Sequence, residues 1–203
     1  MKGSLYTLIY AAVVGIVCAA TLTFAANFCR PYREKNEAAE KQINILLALN
    51  VPFDVDATAD ELLQIFDANI KQVEQNGMAI YNYEVNGKLD SLAVEFIGPG
   101  RNATVKGFLA LEPDRKTIKG ITFYQQEETP GLGGEIITAE FRDRFKGKSI
   151  YDEKGEPGFV VKKNADKLKN GVNAISSATQ TCDKLGIMLT ETLKSLSQEQ
   201  VDE

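Results

Sequence analysis

Residues 5–26 contain no charged side chain, and this run constrains the chain more than any other feature. It is rich in Ala, Val, Leu and Ile, and as a helix at ~1.5 Å per residue it would reach about 33 Å, against a bilayer core of roughly 30 Å. Such a segment either anchors the chain or is removed as a signal peptide. The stretch outruns a usual signal core, and Phe24, Asn27 and Phe28 make a poor small-residue cleavage site. The residues before Cys18 and Cys29 form no lipobox. An uncleaved transmembrane helix in contact with membrane lipid is therefore expected. Lys2 precedes it, while Arg30, Arg33 and Lys35 come after it, so charge alone would put the next domain in the cytoplasm.

The remainder of a chain of 203 residues is long enough for one domain beyond the anchor. A hydrophobic share of 44% with 25% charged residues describes a globular protein. The net charge of -5 argues against nucleic acid as a partner. With 0 histidines, acid–base work by imidazole and His-ligated haem or metal are excluded together. The 3 cysteines cannot hold an iron–sulfur cluster within the chain, and no metal site suggests itself. Any redox group would be organic and brought in.

In chain order, residues 30–50 read as a juxtamembrane helix with Ile43, Leu46, Leu47 and Leu49 on its apolar face. Residues 58–73 read as a second helix, opened by a Thr58–Glu61 capping box and turning Leu62, Leu63, Phe66, Ile70 and Val73 inward. Strands are expected at 80–85 and 91–98 around an Asn86-Gly87 hairpin turn, at 104–113 and 117–126 around Asp114-Arg115-Lys116, and at 158–163. Their alternation predicts one face of an antiparallel sheet packed on helices. A polar loop then leads into a final amphipathic helix, and the chain ends in a solvated acidic tail. The fold class is α+β: a single N-terminal transmembrane helix, then one soluble domain of antiparallel sheet with flanking helices. The segments are 1–29 (anchor), 30–75 (juxtamembrane and scaffold helices) and 76–203 (the sheet domain).

Two stretches carry chemistry. Asn173–Thr181, NAISSATQT, opens the last helix, with Ser177 as its expected N-cap and Gln180 completing a capping box. Ala178, Thr179 and Gln180 then fall in the first turn, where free N–H groups and the positive dipole end favour a phosphate. Plain helix capping explains Ser-Ser-Ala-Thr equally well. The second stretch, EETPGLGGEI (127–136), comes directly after a strand. Pro130-Gly131 has type II turn chemistry, and Gly133-Gly134 would let backbone approach a ligand, although such loops are usually turns and no more.

Ser176-Ser177-Ala178-Thr179 resembles the Ser/Thr-Gly-Ala-Thr flavinylation motif of the FMN-binding subunits of the sodium-pumping NADH:quinone oxidoreductase and of its relative, the Rnf-type ferredoxin:NAD oxidoreductase. Ser177 stands where that family usually has glycine, and Asn173 where it usually has aspartate. ETPGLG is similar to the family's second hallmark, with Gln126 in place of a frequent histidine. GPGRNATVKGFLALEP (98–113) and the juxtamembrane string from Pro31 to Leu46 resemble the sodium-pump subunit more than its Rnf relative. The resemblance spans nearly the whole chain in family order.

It implies a covalent-FMN electron carrier, not catalytic alone, within a membrane-bound NADH:quinone reductase that relays electrons towards quinone and exports sodium. The FMN phosphoester would sit on Thr179, placed there by a separate flavin transferase. Asn173, Ser176, Ser177 and Ala178 would surround the tether, and Glu128, Thr129, Pro130, Gly131, Leu132 and Gly133 the ring. Lys162, Lys163 or Lys167 could stabilise an anionic flavin or be solvated surface. The partners implied are the other membrane subunits of the complex, and the flavin domain would lie outside the cytoplasmic membrane. The alternatives are the Rnf-type subunit, a flavin-less membrane-anchored assembly or binding module, and an enzyme using Glu127 and Glu128. Adjacent strand residues point to opposite faces, so those two carboxylates make a poor pair.

Overall fold

The computed structural model describes residues 2–54, 56–75 and 77–197, so the expected acidic tail lies outside the described residues. The chain divides into two compact units, Met1–Glu40 and Lys41–Glu203. Helix α1 runs unbroken over Lys2–Ala48 with Pro31 inside it, so the anchor and the juxtamembrane helix are one element. Proline costs a helix one hydrogen bond, which neighbouring turns absorb. Around it lie the i,i+4 pairs Arg30–Glu34 (2.8 Å) and Arg33–Glu37 (3.8 Å), both exposed and each worth only a few tenths of a kcal/mol. The apolar part of α1 has a mean hydropathy of 2.2, none of it buried, and is long enough to cross a membrane.

Helix α2 (Ala59–Asn69) starts on the expected capping box: the Thr58 hydroxyl accepts from Glu61 N–H, and Glu61 accepts from the Thr58 amide. It stops four residues before the predicted end, at Asn69, so Ile70 and Val73 belong to a strand, β1 (Ile70–Gln75). The reason is pairing. β1 aligns antiparallel with β2 (Met78–Val85), Ile70 opposite Tyr83 and Val73 opposite Ile80, and that ladder outweighs the helical spacing.

β3 (Lys88–Pro99), β4 (Thr104–Leu111) and β5 (Ile118–Gln125) continue a five-stranded antiparallel meander in the order β1-β2-β3-β4-β5. Asn86 (φ 54°) and Gly87 (φ 74°) make the β2–β3 turn with both central residues left-handed, the geometry that matches strand twist. The prediction of one covered face needs correction, because both faces are packed. Leu92, Val94, Phe96, Leu109 and Phe123 face one core, with Phe141, Phe145, Cys182, Leu185 and Leu189. Tyr81, Ala93, Phe108 and Ala110 face the other, with Ile45, Leu46 and Leu49 from the end of α1 and Leu62 from α2. The second core is closed at its edge by Glu95, which takes an ion pair from Lys41 (2.8 Å) and a hydrogen bond from the Tyr124 hydroxyl. Burial and that carboxylate together push the Tyr124 phenol well above its ordinary range.

After β5, a 3-10 turn (Gly133–Ile137) leads to the short helix α3 (Ala139–Asp143), capped by the Thr138 hydroxyl. The predicted strand at 158–163 is present as β6 (Val160–Lys162). The expected polar loop instead contains a further strand, β7 (Gly171–Asn173), parallel to β6 with Lys162 opposite Asn173. Three-residue strands leave too little alternation to be read in a sequence. The last helix, α4 (Thr179–Ser197), packs against β6 and β3.

Gly120 marks where α1 ends on the sheet: a Cβ there would lie 2.4 Å from the Ala48 carbonyl oxygen. Gly120→Ala should cost about 1–3 kcal/mol through overpacking, read as a lowered urea midpoint with an unchanged m-value. An unchanged midpoint would mean that α1 does not seat there.

Candidate functional site

The site is organised by a carboxylate that the family resemblance places beside the flavin ring. Glu128 is only 5% exposed. Its Oε1 accepts from the Asn102 amide at 2.9 Å, and its Oε2 accepts from the Thr181 hydroxyl at 2.6 Å. Burial disfavours its charge, yet the bonds from Thr181 and from the Asn102, Arg101 and Ala103 amides prevail and hold the carboxyl below its usual range. Three segments are joined this way: the loop at 100–103 between β3 and β4, the loop after β5, and the first turn of α4. Lys184 adds a second tie, donating to the Gly100 carbonyl at 2.6 Å.

Glycines make room for the clamp. A Cβ on Gly100 would stand 2.5 Å from Glu128 Oε1, and one on Gly133 would stand 2.5 Å from Oε2 and 2.6 Å from Thr181 Oγ1. Gly133 and Gly134 are buried, and their small size leaves room for Glu128 and the Thr129 backbone. The turn chemistry reads as expected. Leu132 N–H donates to the Thr129 carbonyl at 3.1 Å across Pro130-Gly131, with Gly131 at φ 72°. Thr129, Pro130, Gly131 and Leu132 form the exposed crest of this loop. Asn102 Nδ2 donates to the Thr129 hydroxyl at 3.1 Å and the Glu135 carboxylate accepts from the Gly131 amide at 3.1 Å, so both flanks of the crest are held. Gln126 accepts from the Glu128 amide at 2.7 Å.

The start of α4 differs from the predicted cap. Ser177 is not its N-cap: Ser176 and Ser177 form an exposed turn, closed by Ala178 N–H donating to the Ile175 carbonyl at 2.9 Å. The Ala178 carbonyl then accepts the first helical bond, from Cys182 at 3.0 Å, which makes Ala178 the cap and Thr179 the first helical residue. Local turn closure moved the boundary by one residue. Alanine offers no side-chain acceptor, so the cap residue cannot satisfy the N–H groups of this turn.

Thr179 is exposed, as are Ser177 and Gln180, while Ala178 and Thr181 are buried. Ala178 is 5% exposed and Thr181 2%, both facing inward. Residues two apart on a helix of 3.6 per turn differ by about 200°, so Thr179 out and Thr181 in are one geometric fact. Cys182 lies behind the turn; burial pushes its thiol up, and Sγ accepts from the Ile175 amide at 3.4 Å. Asn173 and Ser176 line a pocket with Arg144, Lys148 and Lys163, apart from the crest.

The structure gives Glu128 the partners Asn102 and Thr181, and Lys184 a bond to Gly100, contacts that the sequence reading did not assign. Thr181 was recoverable: if Thr179 must face a ligand, the hydroxyl two residues on faces the interior. Asn102 contributes through its backbone amide, which no side-chain pattern announces.

Known proteins share this fold. The family model described as the FMN-binding domain matches residues 100–194, from the first glycine of the clamp to the later turns of α4. The NqrC subunit of the Na(+)-translocating NADH-quinone reductase of Pasteurella multocida is 38% identical over 96 residues, 47% of this chain and 37% of that one. The same subunit of Haemophilus ducreyi is 27% identical over 215 residues, covering 86% of this chain and 84% of that one. The first of these matches spans well under two thirds of the relative's length. Among solved structures, the corresponding subunit from Parabacteroides distasonis aligns with a TM-score of 0.70 at 26% identity, over 83% of this chain and 95% of that one. NqrC of Shewanella oneidensis shares the fold with a TM-score of 0.63 at 23% identity, covering 72% and 87%.

Thr181→Val keeps the shape and removes the donor to Glu128, at a cost of about 1.5–3 kcal/mol. The native carboxyl is depressed, so its contribution is present above the unfolded pKa and lost as pH falls through the folded one. The stability gap between wild type and Thr181→Val should therefore be full at neutral pH and shrink on acidification; a gap independent of pH would place the Glu128 charge outside the clamp. In fold and in sequence the chain resembles the NqrC subunits of the Na(+)-translocating NADH-quinone reductases, and its residues 100–194 match the FMN-binding domain.

Proposed function

We propose that the chain is a covalent-FMN electron-carrier subunit of a membrane-bound NADH:quinone reductase, relaying electrons from NADH towards quinone in a complex that exports sodium. One observation carries the reading: Thr179 presents an exposed hydroxyl on the first helical position, between inward-facing Ala178 and Thr181. A phosphoester on that oxygen would lie at the positive end of α4, beside N–H groups that Ala178 cannot cap. When bound, FMN supplies one- and two-electron transfer; the protein supplies tether and surroundings.

The residues fit those tasks. Ser176 and Ser177 are exposed and small, leaving the hydroxyl open to a separate flavin transferase. The crest of Thr129, Pro130, Gly131 and Leu132 offers apolar and backbone surface for an aromatic ring, and Leu132 is 37% exposed. Glu128 acts one layer deeper, as a positioning residue that holds crest and tether in register rather than as a contact to the ring. The apolar part of α1 would anchor the chain beside the other membrane subunits, with the flavin domain on the outer side of the cytoplasmic membrane. Long domains translocate largely regardless of flanking charge, so Arg30, Arg33 and Lys35 do not forbid that side.

Co-expression with a flavin transferase should add the mass of FMN to the intact wild-type protein and make its denatured gel band fluoresce. Thr179→Val should abolish both with the fold intact, Thr179→Ser should retain a fraction, and Thr181→Val should retain FMN. Addition of the same mass to Thr179→Val would refute the attachment site. A wild-type protein that never gains it would refute the flavin reading.

A further inference from the structure

Arg144, Lys148 and Lys163 converge on a pocket of about 520 Å³ that also meets Asp166, Asn173 and Ser176. Three cations against one carboxylate leave a local charge of 3 − 1 = +2 in a chain whose net charge is -5. Little inside the protein offsets it. Lys148 donates to two neutral carbonyls, Asp166 at 2.8 Å and Leu168 at 3.1 Å, which orient its ammonium and leave its charge. Arg144 is held by the Asn173 carbonyl at 3.1 Å, and its ion-pair partner Glu140 has a side chain 84% exposed, so water screens that pair. Lys163 makes no ion pair among the described residues.

The pocket is built on a fixed frame. Lys162 of β6 pairs with Asn173 of β7, which sets Lys163 beside the start of the Asn173–Thr179 segment. The Asn173 side-chain oxygen is buried and has no hydrogen-bond partner, a cost that a donor from a ligand would remove. Volume, charge and that unpaired acceptor describe one ligand class: a dianionic group joined to a hydroxyl-bearing body.

We propose that this pocket binds a phosphate ester. A phosphate monoester carries about −1.5 to −2 charges at neutral pH, which matches the local excess, and an arginine fork suits its oxygens. Hydroxyls on the esterified part supply the donor for Asn173. The occupant is a free phosphate monoester. An FMN tethered at Thr179 is a phosphodiester with a single charge, on a residue that does not line this pocket, so the site needs no flavin.

Ribose 5-phosphate titrated calorimetrically into the full-length, unflavinylated protein in detergent tests this. Binding is expected for ribose 5-phosphate and not for ribose, and it should weaken as salt rises. Lys163→Glu should raise Kd about tenfold or more by reversing one of three charges, whereas Lys88→Glu, an equal charge change at an exposed site elsewhere, should leave it unchanged. Binding should be retained in the flavinylated protein; its loss would put the tethered flavin in the pocket and overturn the free-ester assignment. No binding to the unflavinylated protein, or equal binding by Lys163→Glu, overturns the site. Thr179→Val that takes no flavin yet binds ribose 5-phosphate keeps the two proposals separable.

Discussion

The Glu128 carboxylate is the interaction on which the functional end of this protein depends. It is buried, and a charge out of water needs partners on each lone pair. Those partners come from two distant parts of the chain, the 100–103 loop and Thr181 in α4, and tie both to the loop after β5. Because each bond is made to a charged acceptor, each is stronger than a neutral one and sensitive to a shift of a few tenths of an ångström. The glycines at 100 and 133 are required by this arrangement, since any side chain at either position would occupy the space of the carboxylate or of its donor.

The consequence for function is orientation. Fixing Thr181 inward rotates Thr179 outward on the same turn, and fixing the base of the loop after β5 lifts its crest, Thr129 to Leu132, into solvent. One internal contact thereby sets two surfaces that a tethered flavin would need, a reacting hydroxyl and a ring platform. The sheet behind them is packed on both faces, with α4 on one and the end of α1 on the other. A site mounted on a doubly covered sheet is held more closely than one on a free loop.

Much of this was legible in the sequence. The apolar run, the Thr58–Glu61 capping box, the Asn86-Gly87 hairpin and the Pro130-Gly131 turn each have a local physical cause, and each stands in the structure. The features that were not legible depended on partners far away in the chain. Ile70 and Val73 suit a helix by spacing but pair with β2, and β7 exists because β6 lies beside it. Ser177 has every local property of a cap, yet the bond from Ala178 to Ile175 shifts the helix start past it. The resemblance of its loop places Glu128 beside the flavin ring, while the donors that hold its carboxylate are mostly backbone amides, which leave no mark in a sequence.

Whether this geometry serves a flavin on Thr179 is decided by peptide mapping of the wild-type protein after co-expression with a flavin transferase. Tryptic cleavage at Lys169 and Lys184 isolates a peptide that contains Thr179 and Thr181 together, and fragmentation within it separates the two. The expected product is a fluorescent peptide whose FMN mass lies on Thr179 alone. FMN on Thr181, on Thr129, or on no residue of the chain would contradict it.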